Sequence, residues 1–97
     1  MMKVEDAQQI ATQEVEHLHQ VSKFWQQVED LSEVRLARET ADFWVFFARS
    51  QNLIDASHAP GGLFVTVDKQ TGHIWSQDEI EVYYTQRAAS EPHKIAA

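Results

Sequence analysis

The residues able to do chemistry are few, and they are poorly spaced for it. His17 and His19 stand two apart in a stretch of helical pattern, which turns their imidazoles roughly 200° from each other, whereas helical zinc sites use spacings such as i and i+4. They read as solvated or capping histidines. His58, His73 and His93 have no carboxylate or hydroxyl spaced to complete a nucleophile, base and orienting acid. Asp78, Glu79 and Glu81 resemble a pair of catalytic carboxylates, yet they open a helical segment, where the macrodipole favours acids whatever their chemistry. No phosphate-binding glycine loop, HExxH or GxSxG occurs, and three glycines leave little material for one. Without cysteine the chain has neither disulfides nor thiolate metal ligands. These patterns predict a protein that is not an enzyme and that takes no metal and no cofactor.

Positioning these groups falls to a small number of elements. A chain of 97 residues supports one core, because separate cores arise only well above ~200 residues. We read residues 1–87 as one α+β domain and 88–97, with Pro92 and many small and polar residues, as a disordered tail. Val4, Ala7, Ile10, Ala11, Val15 and Leu18 step by three and four, predicting an amphipathic helix with Asp6 as its N-cap. Val21, Phe24, Trp25, Val28 and Leu31 keep the same stepping with no breaker between, so this stretch either continues the helix or forms a second one. VRLARE, residues 34–39, alternates like an edge strand, and 40–42 turns it into FWVFFARS, residues 43–50, whose aromatic and β-branched content predicts an interior strand. Residues 51–62 read as a loop, with Leu53 and Ile54 tucked against the sheet edge. LFVTV and HIW read as two strands reversed by DKQTG, where Asp68 accepts backbone hydrogen bonds and Gly72 takes the left-handed conformation. A short closing helix, residues 78–87, capped by Ser76 or Asp78, carries Ile80, Tyr83 and Tyr84 on one side. The expected architecture is an N-terminal amphipathic helix packed on a three- to four-stranded antiparallel sheet, with a short C-terminal helix.

Charge and aromatic content point to contact rather than conversion. A net charge of -7 repels nucleic acid and anionic membrane and draws basic partners inward. No run approaches the ~18 apolar residues of a membrane span, and Met1 to Gln9 lacks the apolar core of a signal peptide, so a cytoplasmic location is expected. Phe43, Val45 and Phe47 lie on one face of their strand and Trp44, Phe46 and Ala48 on the other, although one helix layer covers only one face. The C-terminal helix, the 51–62 loop, a protein partner or a second copy of the chain must cover the other. The groups expected to touch a partner, by charge and exposure, are Asp42, Asp55, Asp78, Glu79 and Glu81, with Tyr83 or Tyr84 as aromatic anchor.

FWVFFARSQNLID, then GLFVTVDKQTGHIW, then EIEVYY resemble the immunity protein 35 (YrhB-like) family. Trp44, Phe46, Ser50, Val67, Asp68, Lys69, Thr71, Gly72 and Tyr83 or Tyr84 match its pattern residue by residue. The specific part of the resemblance is 43–75; APGGLF replaces the family's Gly-Asn-Gly-Pro type segment, and 21–42 is longer than usual. The resemblance implies a small α+β bacterial protein that protects its producer by binding a cognate polymorphic toxin, and it carries over no catalytic residue. An acidic inhibitor fits a basic toxin such as a nuclease. The alternative is a small chaperone-like or structural domain that self-associates, as a homodimer through its aromatic sheet face.

Overall fold

The computed structural model describes residues 2–89. Helix α1 spans Val4–Val21 and lays Ala7, Ala11 and Val15 into the core. Two alanines on that face let the helix approach the sheet closely. Lys3, not Asp6, occupies the N-cap position; Asp6 sits inside the first turn beside Glu5, where an acid complements the helix dipole without capping it. The question left by residues 21–31 resolves into two parts. Ser22 turns extended and accepts a hydrogen bond from the Trp25 N–H at 3.5 Å, opening the four-residue helix α2, Lys23–Gln26. Residues 28–34 then run without regular structure to the sheet.

The sheet has three strands, β1 Arg35–Glu39, β2 Phe43–Arg49 and β3 Gly62–Asp68, antiparallel in the order β1-β2-β3. FWVFFAR is the central strand, as its two apolar faces require. Thr40 makes the first turn: its Oγ1 accepts from the Phe43 N–H at 3.1 Å, and its own N–H donates to the Phe43 carbonyl at 2.9 Å. Trp44, Phe46 and Ala48 pair with Val67, Val65 and Leu63, and these six meet α1 in one buried cluster. Phe46 and Val67 are fully buried, each contributing roughly 1.5–3 kcal/mol by leaving water.

Three further expectations are corrected. The 51–62 segment is not all loop: Ser50 accepts from the Leu53 N–H at 3.2 Å and starts helix α3, Gln51–Asp55. Leu53 is half-buried there, whereas Ile54 is 41% exposed and lies over Gly61, where a Cβ would meet its Cγ1 at 2.6 Å. HIW forms no fourth strand. It makes one bridge, Val67 to Ile74, held by Asp68 N–H to His73 carbonyl at 2.8 Å and Trp75 N–H to Thr66 carbonyl at 2.9 Å. The turn between behaves as its sequence predicts, with Gly72 at φ +77° and the Asp68 carboxylate accepting from the N–H groups of Gln70 and Thr71 at 2.8 and 3.0 Å. Finally, helix α4 runs over Gln77–Ala89, beyond the expected end at 87. The remainder of the expected tail lies outside the described residues.

Candidate interaction face

The second face of the sheet is covered at one end only. Ser76 and Glu79 set α4 in place through a reciprocal cap: the Ser76 hydroxyl accepts from the Glu79 N–H at 3.2 Å, and the Glu79 carboxylate accepts from the Ser76 N–H at 2.9 Å. His73 anchors the same carboxylate at 2.9 Å, tying the helix start to the turn after β3. The Ser76 N–H first, then His73, hold Glu79 below the usual carboxylate range. Two turns later α4 brings Tyr83 onto Phe43, with ring centroids 5.3 Å apart, and onto Trp75 at 5.3 Å. Trp75 stacks on Phe43 at 5.0 Å, and its indole N–H donates to Asp68 at 3.2 Å. Tyr84 completes the cluster against Tyr83 at 5.3 Å. Aromatic pairs at these separations are each worth about 0.5–1.5 kcal/mol beyond their area.

Polar groups ring this cluster. The Tyr83 hydroxyl donates to Asp42 at 2.7 Å and receives the Arg87 guanidinium at 2.9 Å. Arg38 donates to the Tyr84 hydroxyl and stands 5.9 Å from its ring centroid. The hydrogen bond to Asp42 is the chief reason the Tyr83 phenol titrates above its ordinary value.

Six of the seven residues selected by charge and exposure therefore belong to one region. Asp42, Tyr83 and Tyr84 are bound into the aromatic cluster, Glu79 is committed to the cap, and Asp78 and Glu81 sit exposed on α4 with no side-chain hydrogen bond or ion pair among the described residues. Asp55 is elsewhere, at the end of α3 beyond the far end of β2, accepting from the Gln51 side chain at 2.8 Å. Sequence reading missed two residues that organise the sheet, one at each end. Asp30 accepts from the Ser50 hydroxyl at 2.5 Å and from the Asn52 N–H at 2.9 Å, contacts that span twenty or more residues and so leave no local pattern. Lys69 was matched only by type; its ammonium lies 2.5 Å from Glu39 and 5.4 Å from the Trp44 ring centroid, closing the sheet edge over the core.

This face can offer rigid rings, hydrogen-bond donors and unpaired carboxylates to a partner. Among the described residues no group of three or more His, Asp or Glu side chains is close enough to hold a metal ion, and no helix is long and apolar enough to cross a membrane. No family model, curated protein or solved structure matches the chain.

Proposed function

We propose that this chain is a cytoplasmic immunity-type protein that neutralises a cognate bacterial polymorphic toxin by binding it, without catalysing a reaction. The observation that carries the proposal is the α4 face: Tyr83 and Tyr84 are packed ring against ring while Asp78 and Glu81 beside them make no side-chain hydrogen bond or ion pair among the described residues. Pre-ordered aromatics lose little freedom on binding, and exposed acids accelerate encounter with a basic surface. The resemblance of 43–75 to the immunity protein 35 family supports the same reading. The test is to express each gene adjacent to this one in a neutral host, alone and together with this chain. A neighbour whose product arrests growth alone, is harmless with the chain and co-purifies with it in equal amount supports the proposal. If every neighbour is harmless, or the chain rescues growth without forming a complex, the proposal fails.

A second reading, self-association without a toxin, draws on the uncovered end of the same sheet face. Phe64 is 49% exposed there and packs on Phe47 with centroids 4.5 Å apart. A concentration-dependent dimer that Phe64→Ser abolishes is the result this reading requires.

A further inference from the structure

On the opposite side of the molecule, the second half of α1 and the 28–34 segment diverge to leave a groove of about 430 Å³. Its floor is apolar, from Val15, Val28, Leu31 and Val34. Its rim carries Glu16, Glu29 and Glu33, all exposed, and none of the three carboxylates enters an ion pair among the described residues. Among the described residues no lysine or arginine lines it. The nearest acid in sequence, Asp30, is turned away and bound to Ser50 and Asn52, so its charge serves the α3 cap. The two walls are tied to each other by specific bonds: Gln8 donates to the Val34 carbonyl at 2.8 Å, and the His19 ring nitrogen meets the Val28 carbonyl at 3.0 Å. The groove is therefore a held shape rather than a gap left by loose packing.

An apolar floor under three unpaired carboxylates fits a side chain with an aliphatic stem and a cationic head. Lysine and arginine bury their methylenes on apolar surface while the charge stays at the rim. We propose that this groove docks a basic segment of a partner protein, in which lysines or arginines alternate with aliphatic residues. The floor takes the aliphatic side chains and the stems; Glu16, Glu29 and Glu33 take the cations. This surface is separate from the α4 face, and the proposal does not depend on the toxin reading.

The test uses the full-length chain, isotope-labelled, titrated with a synthetic peptide of alternating lysine and leucine and, separately, with its glutamate and leucine counterpart. The expected result is that amide shifts on adding the basic peptide concentrate in 12–20 and 28–34, and the acidic peptide produces none. Glu29→Lys with Glu33→Lys should weaken binding about tenfold, whereas Glu5→Lys with Asp6→Lys, the same change of charge at the far end of α1, should leave it within about twofold. Circular dichroism checks that both variants are folded; all four side chains are exposed. Equal weakening by the two pairs would reduce the effect to net charge and overturn the proposal. Shifts centred on α4, absence of binding, or shifts that follow protein concentration without peptide, the mark of a second copy in the groove, would overturn it as well.

Discussion

The phenol of Tyr83 donates to the carboxylate of Asp42 across 2.7 Å, joining the helix that ends the described chain to the turn that opens its central strand. Few other contacts fasten α4 to the sheet: of its residues up to Arg87, only Ile80 and Tyr83 are half-buried and the others are exposed. Tyr83→Phe keeps the ring on Phe43 and Trp75 but removes the bond, at a cost of about 1 kcal/mol or less. Tyr83→Ala removes both. Amide hydrogen exchange should show α4 opening far more readily in the alanine variant while α1 and β2 keep their protection.

The same bond sets a pH dependence. The folded Tyr83 titrates above its unfolded value, so the contribution of the contact is complete below about pH 10 and is lost as pH rises through the higher folded value. Asp42→Asn removes the main cause. Tyrosinate absorbance should report one late-titrating phenol in the parent chain and an earlier titration of that phenol in the variant.

Acid acts through other groups. Glu79 is held low by the Ser76 N–H and then His73, and Asp30 by the Ser50 hydroxyl and then the Asn52 N–H. Burial alone would raise Asp68, but the N–H groups of Gln70, Thr71 and Trp75 outweigh it and hold that group low too. All three stabilise the fold fully above the unfolded carboxylate range, about pH 4, and lose that contribution as pH falls through their lower folded values. Thermal midpoints should therefore drop below about pH 4, and Asp68→Asn should flatten the slope there while lowering the neutral value.

Ser50 is fully buried with its hydroxyl committed twice, to Asp30 as donor and to the Leu53 N–H as acceptor. Ser50→Ala deletes the α3 cap and leaves Asp30 without its hydroxyl donor. A loss of about 1–3 kcal/mol in urea unfolding is expected, larger than for an exposed cap.

Gly62 begins β3 where no side chain fits. A Cβ there would strike the Ala48 carbonyl oxygen, which cannot retreat without breaking the β2–β3 ladder, and would come within 2.6 Å of the Phe47 ring, which must turn aside. Gly62→Ala should cost on the order of 2 kcal/mol or more, or prevent soluble expression. Gly72→Ala strains the turn as well, through its φ of +77° and the Met2 methyl 2.8 Å from the added carbon.

What could be read from sequence was whatever repeats at short range. The α1 face and the strand FWVFFAR were visible because their periods, 3.6 and 2, show directly in residue type. The cap of α4 was visible in part: Ser76 stood as one of two candidate caps beside Asp78, but Glu79 read only as an acid favoured at a helix start. Helix α3 was hidden because Ser50 closes an apolar strand and caps a helix at once, and QNLID is too short to display a period. HIW has the composition of a strand, but the chain makes one bridge and then leaves for the α4 cap. Of the interaction face, the Tyr83–Tyr84 side of α4 could be anticipated, whereas the bonds to Asp42 and Arg38 connect residues more than forty apart and exist only once the sheet has formed.

The register break between Leu36 and Arg38 bears on how molecules of this protein meet in crowded surroundings. Strand β1 is the outer margin of the sheet, five residues long and exposed throughout, and such a margin ordinarily invites a neighbour's strand to extend it. The bulge twists the backbone out of the flat row of donors and acceptors that growing cross-β stacks require, and Arg35, Arg38 and Glu39 would place charge in each new junction. Fibre growth along that margin is thereby obstructed.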